Sequence, residues 1–230
     1  MLAAIDDAIS RLLVPMVCRA VWKNAMENAD ETAMQVFCRN LRSLLRIPPL
    51  SSYFSTTNSA REASKLEYVV MGVDPGVANG HKVSVVSSLS SGIIETSRLY
   101  YILESHHQSS NTDDSKKNER SMQQLAKMCK DHRVSVIAIG DGVGSRAAQS
   151  MIDQTVKSGL LPPSIRCATV SEAGASVYSV SEVAKNEHPK VEVSYLGAVS
   201  IARRLIHPLS ELVKIAPESL GVGERTSCCC

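Results

Sequence analysis

The order of apolar and polar residues changes character near residue 67. Before it, Ile5, Ile9, Leu12, Leu13, Met16 and Ala20 recur at helical spacing over residues 4–23, with Arg11, Arg19 and Lys23 elsewhere on the wheel. Pro15 is expected to kink that helix. A second helix is predicted from Asp30, a suitable N-cap, with Ala33, Val36, Phe37, Leu41, Leu44 and Leu45 in one stripe until Pro48 and Pro49 end it. Two such stripes cannot bury each other completely, so both call for a further packing surface. Residues 51–64, rich in Ser, Thr and Asn, read as a linker. Beyond it, Tyr68–Val73, Lys82–Ser88 and Ile93–Ile102 are β-branched runs separated by turn residues, which predicts a three-stranded meander. Residues 105–118, with His106, His107, Ser109, Ser110, Asp113, Asp114, Lys116 and Lys117, read as a loop. Then helix and strand alternate: helix 119–131, strand Val134–Gly140, helix 145–157, strand Ile165–Val170. A last long helix over 198–214 carries Ala198, Ile201, Ala202, Leu205, Leu209, Leu212 and Val213, with Pro208 interrupting it. This alternation predicts an α/β fold preceded by an α-helical segment.

Composition narrows the choice. At 230 residues with 44% hydrophobic and 21% charged positions, the chain has room for one large domain or one and part of another, and it is not disordered. Residues 1–66 hold 8 Lys and Arg against 6 Asp and Glu, and the remainder holds 17 against 17. A binder driven by counterion release needs clustered cations, so near-neutrality argues against strong nonspecific nucleic-acid binding by this chain alone. Cys18, Cys38, Cys129 and Cys167 are scattered without metal-ligand spacing and are expected to be buried thiols; Cys228–Cys230 read as tail sequence. No apolar run reaches 18 residues and no signal-like segment opens the chain, so no membrane association and an intracellular, reducing environment are expected.

The candidate chemistry lies at predicted strand ends. Asp74 follows the first strand before Pro75 and Gly76, Asp141 follows the fourth, and Glu172 follows the fifth. Ligands of open α/β sheets bind outside the carboxyl ends of strands, and acids gathered there form a candidate cation site. The same two aspartates are also suited to turn and cap positions. Arg146 near Gly142 and Gly144, with Arg203, Arg204 and Lys214 on or near the last helix, are candidate phosphate contacts. Arg203 and Arg204 are equally suited to salt bridges, to Glu172 or Glu211, and Tyr178 to a place in the core or a base-stacking role.

Four blocks carry a family resemblance: Gly72-Val73-Asp74-Pro75-Gly76, Ile139-Gly140-Asp141-Gly142, the run from Val170 to Ser179, and Gly197–Leu205 continuing to Ile215. Together they closely resemble the YqgF-type RNase H-like domain of Tex-family transcription accessory proteins, over about residues 67–223. Residues 6–50, with Arg11-Leu12-Leu13-Val14-Pro15 and Phe37-Cys38-Arg39-Asn40-Leu41, resemble the helical segment that precedes it. The resemblance implies residues 1–50 as the end of a helical domain, 51–66 as linker, 67–216 as the YqgF/RNase H-like domain and 217–230 as a divergent Cys-rich tail. It implies a mixed five-stranded sheet of order 3-2-1-4-5 flanked by helices, with Asp74 and Asp141 facing one another.

In active members of the wider superfamily, such carboxylates hold two divalent ions about 3.5–4 Å apart. Tex-like domains are regarded as having lost the complete set, which makes Asp74, Asp141 and Glu172 vestigial catalytic positions, and Asp74 with Asp141 the metal candidates. This chain has Asp141 where the family usually has Asn, and His207 where it usually has Asp; His is a poor Mg²⁺ ligand. No cofactor is required on this reading, and Mg²⁺ enters only if the acids act together. Gly221-Val222-Gly223 matches the family while Glu224–Cys230 does not, so a fragment is expected, without the helix-hairpin-helix and OB-fold modules that follow in Tex-like proteins. The resulting expectation is a catalytically inactive, nucleic-acid-associated piece of a protein acting in transcription or RNA metabolism, contacting RNA or DNA weakly. The alternatives are a divalent-metal-dependent nuclease or resolvase and a protein-docking scaffold.

Overall fold

The computed structural model describes residues 2–54, 67–76, 79–89, 92–101 and 112–223. Two compact units are present, Met1–Leu44 with Val222–Cys230, and Leu45–Gly221. Most of the expected linker, the pair His106 and His107 with Ser109 and Ser110, and the tail Glu224–Cys230 fall outside the described residues.

The first unit corrects the expected pair of helices. Helix α1 (Leu2–Ala8) passes through a π-helical turn (Ile9–Leu13) directly into α2 (Val14–Leu45), so Asp30 is a mid-helix residue and caps nothing. Pro15 does not end the run because the wide turn precedes it. The Val14 N–H already reaches back five residues to Ile9 O, and the register shift accommodates a residue that has no N–H to donate. Leu12, Trp22 and Met34 on this helix are exposed, as are Cys18 and Cys38.

The second unit is built on one mixed sheet, after a short helix α3 (Ser51–Phe54). Strands β1 (Val69–Asp74), β2 (His81–Ser87) and β3 (Ile93–Leu99) form the expected antiparallel meander. Strands β4 (Val134–Gly140) and β5 (Arg166–Val170) add in parallel on the other side of β1, giving the order β3-β2-β1-β4-β5. This is the RNase H-like arrangement that the resemblance implies. One face packs on helices α4 (Thr112–Asp131) and α5 (Ser145–Lys157), where Met71, Val73, Leu99, Leu125, Ile137, Ile139, Met151 and Ile152 form the core. Helix α4 begins seven residues before the expected 119, so Lys116 and Lys117 are helical rather than in a loop. The segment is polar, but its buried positions Asn118, Ser121, Leu125 and Cys129 keep helical spacing, with polar side chains taking the first two.

The opposite face is covered by α8 (Val193–Ile206), reached through α6 (Ala175–Val180) and α7 (Glu182–Glu187). Its backbone lies directly against β1: a Cβ on Gly72 would fall 2.0 Å from Ala198 O, which only glycine permits. The expected helix 198–214 is therefore earlier and shorter than predicted. It starts at Val193, breaks at His207 (φ −136°, ψ 74°), and resumes as α9 (Pro208–Leu212), where proline at the first position suits a new start. Of the four described cysteines only Cys129 is buried, which corrects the expectation for Cys18, Cys38 and Cys167. Burial pushes the Cys129 thiol up to about 12 and keeps it protonated.

Candidate functional site

Three strand ends converge because β1, β4 and β5 are parallel and adjacent. Asp74 is the last residue of β1; Asp141 and Glu172 follow β4 and β5. Glycines make the room. A Cβ on Gly197 of α8 would stand 2.7 Å from Asp74 Oδ2, one on Gly140 2.8 Å from Glu172 Oε2, and one on Gly142 2.1 Å from Glu172 Oε1. The carboxylates thus lie in a cradle with backbone walls.

The three acids are held differently. Asp74 sits in cross-strand register with Lys82, whose Nζ lies 3.9 Å from Oδ2, each side chain 28% exposed. Burial raises the Asp74 carboxyl above its ordinary range and Lys82 only partly offsets this. Asp141 is exposed, and its Oδ1 accepts the Glu172 backbone N–H at 2.9 Å. Glu172 is raised by burial and then by the negative charges of Asp74 and Asp141, against which it has the Gly142 N–H and the nearby Arg204. Its Oε2 is buried without a hydrogen-bond partner among the described residues.

Arg204 sits behind these acids. It is 5% exposed and donates from one terminal nitrogen to Ser171 O at 2.6 Å, while its Nε and other terminal nitrogen have no hydrogen-bond partner among the described residues. Burial lowers its pKa; Glu211, Asp141 and Glu172 act in the opposite sense. An all-oxygen donor set suits a hard cation, but among the described residues no three of His, Cys, Asp and Glu stand where they could hold a metal ion together.

Arg203 and Lys214 belong to a different group. Glu187 accepts from Arg203 at 2.7 Å, Lys214 at 2.9 Å and the Tyr178 hydroxyl at 2.8 Å, and Lys214 also donates to buried Glu211 at 3.0 Å. Burial alone would raise Glu187, yet these three donors hold it at about 2. Tyr178 is 1% exposed, so its ring is a core element, with Lys214 Nζ 5.4 Å from its centre. Arg203, Arg204 and Lys214 are thus engaged within the fold, and Arg146, in the first turn of α5, is the exposed member of the four candidate phosphate contacts. Sequence reading missed Glu187, which sits in a charged stretch without distinguishing context, and Lys82, which the meander register could have supplied once Asp74 was chosen.

The sheet order and acid-lined strand ends define a mixed-sheet α/β domain of RNase H-like arrangement. Residues 68–206 match the Tex protein YqgF-like domain, and the chain belongs to that family. It is 36% identical over 220 residues to YdcI of Bacillus subtilis, an alignment that spans 96% of this chain and 27% of that protein. It is 40% identical over 198 residues to the transcriptional accessory protein Tex of Neisseria gonorrhoeae, spanning 86% and 22%. It is 31% identical over 221 residues to the human S1 RNA-binding domain-containing protein 1, spanning 96% and 19%. The chain therefore spans about a quarter or less of the length of these relatives. Among the described residues no helix is long and apolar enough to cross a membrane.

Proposed function

We propose that this chain is a nucleic-acid-contacting scaffold domain, serving transcription or RNA metabolism, whose acid cluster does not cleave. Arg204 is the observation that carries the reading. Its buried guanidinium puts fixed positive charge beside Asp141 and Glu172, where active members of the superfamily rely on divalent ions. A guanidinium neutralises carboxylates, but it has no acceptor, stays protonated and cannot generate hydroxide from a bound water. Lys82 plays the same part beside Asp74. The names of two relatives, a transcriptional accessory protein and an S1 RNA-binding domain-containing protein, support the nucleic-acid role. RNA or DNA is the partner on this reading, with no cofactor required.

The test is a gel-shift series with single-stranded RNA, duplex DNA and branched DNA at low salt, run beside cleavage assays in Mg²⁺ and Mn²⁺. Retardation without cleavage is expected. Failure to retard any of the three, both by this chain and by a full-length relative, overturns the reading. One observation favours a second reading, a divalent-metal-dependent nuclease: the unpartnered Oε2 of Glu172 lies in the field of Asp74 and Asp141. Cleavage that disappears in Asp74→Asn would establish it.

A further inference from the structure

The free edge of the sheet carries a cavity of about 370 Å³ that neither the acids nor the Glu187 group touches. It is lined by Arg98 and Tyr100 from the end of β3 and by Lys117, Arg120, Ser121 and Gln124 from α4. Three of these six side chains are cations and none is a carboxylate. Its walls are fixed in advance: the Tyr100 N–H donates to Ser121 Oγ at 3.1 Å and that hydroxyl donates to Tyr100 O at 2.6 Å, while Gln124 donates to Ser97 Oγ. The Tyr100 ring rests on Gly80, where a Cβ would come within 2.9 Å of it, and Tyr100 stays 47% exposed. Arg98 lies 6.0 Å from the centre of the Tyr195 ring, and its Nε is buried without a hydrogen-bond partner among the described residues.

Register connects this cavity to the acid cluster. Asp74 pairs with Lys82, and Lys82 pairs with Arg98, so the three side chains form a row on one face of the sheet. Adjacent strands are about 4.8 Å apart, which sets Arg98 about 10 Å from Asp74 along a row that turns from acidic to basic. The cavity lies at the lower end of the size range for small-ligand pockets, about 300–1,000 Å³, and holds a single nucleotide-sized group. Its chemistry is that of a phosphate partner beside an exposed aromatic face.

We propose that Lys117 and Arg120 form a phosphate subsite in which Tyr100 stacks on the attached base, so that the cavity takes one nucleotide unit, either within a single strand or free in solution. The strand source rests on the nucleic-acid reading above; the free-nucleotide source does not. The full chain is titrated with a short labelled single-stranded RNA, with ADP and with inorganic phosphate, following the backbone amide signals of Tyr100, Lys117, Arg120 and Ser121. Binding of the RNA is also measured across a salt series for the parent and for Lys117→Glu/Arg120→Glu, both exposed positions. If a strand is the ligand, RNA moves these signals, and the double variant loses about tenfold in affinity and about 1.4 in the slope of log K against log salt, about 0.7 for each phosphate contact. If a free nucleotide is the ligand, ADP moves the signals and the double variant abolishes the shift, even where no strand binds and the broader nucleic-acid reading fails. RNA binding with unchanged affinity and slope in the double variant, together with amide signals that no probe moves, overturns the subsite and leaves that broader reading standing.

Discussion

Arg203 and Arg204 are consecutive residues of α8, yet they serve two groups of carboxylates in opposite conditions. On the Arg203 side, Glu187 accepts from an arginine, a lysine and a tyrosine, and its carboxyl is held at about 2. On the Arg204 side, Glu172 has a backbone N–H and an unpartnered oxygen, and Glu172 and Asp74 are both pushed above their ordinary range. A carboxylate whose acceptors are filled stabilises the fold and has little left to offer a ligand. One that is crowded by like charge and short of donors keeps an affinity for whatever cation or donor arrives, and such perturbed acids concentrate at functional positions. The contrast separates a clamp from a site within a single turn of helix.

The contrast breaks most visibly if the clamp is cut. Arg203→Met should cost about 2 kcal/mol in urea unfolding, below the 3–5 kcal/mol typical of a broken buried pair, because Lys214 remains and Glu187 is partly exposed. A loss under about 0.5 kcal/mol, the range of an ordinary surface change, would mean that the network clamps nothing. The opposite sign is expected across the helix. Glu172→Gln removes like-charge repulsion and should leave stability unchanged or raise it by about 1 kcal/mol. A thermal melt that falls by several degrees would show the two groups to be alike.

Acid titration sharpens the same contrast. The folded-state Glu187 carboxyl lies at about 2 against an ordinary 4.5, so the unfolded chain takes up that proton first. Its contribution is complete above pH 4.5 and is lost as the pH falls towards 2. Asp74 and Glu172 are raised in the folded state, which therefore takes up those protons first, and acidification through their raised values stabilises the fold. Glu187→Gln should flatten the acid loss, and Glu172→Gln should remove part of the gain, both read from denaturant midpoints against pH. The smallest effect belongs to exposed Arg146: Arg146→Ala should shift unfolding by less than about 0.5 kcal/mol and weaken nucleic-acid retardation without changing the melt.

The sheet was legible because its strands are short β-branched runs with turn residues between them, and β4 and α5 lie where periodicity puts them. The three acids were legible as residues that follow parallel strands. What periodicity could not reveal depends on register and partners. At Pro15, where a kink was expected, a π turn lies just before the proline and changes the hydrogen-bond step. The start of α4 is hidden because Asn118 and Ser121 occupy its buried side. The sequence offers Glu172 and Glu211 as partners of Arg203 and Arg204, and only the fold adds Glu187 against Arg203 and Lys214 and Asp141 beside Arg204. The cavity at the sheet edge is invisible in sequence because its cations come from a strand end and a separate helix.

The glycine wall at Gly197 also sets a time order. Asp74 belongs to the first strand made, while the residue that closes over its carboxylate belongs to α8 near the end of the fold. At about 5–20 residues per second, synthesis of the intervening chain takes on the order of 10 s. Through that interval the meander can form, but the face of β1 that receives Ala198 is bare and the acid cluster has no walls. The site therefore matures late, and the α8 sequence that completes it also ends the period in which a growing chain exposes that face to other molecules.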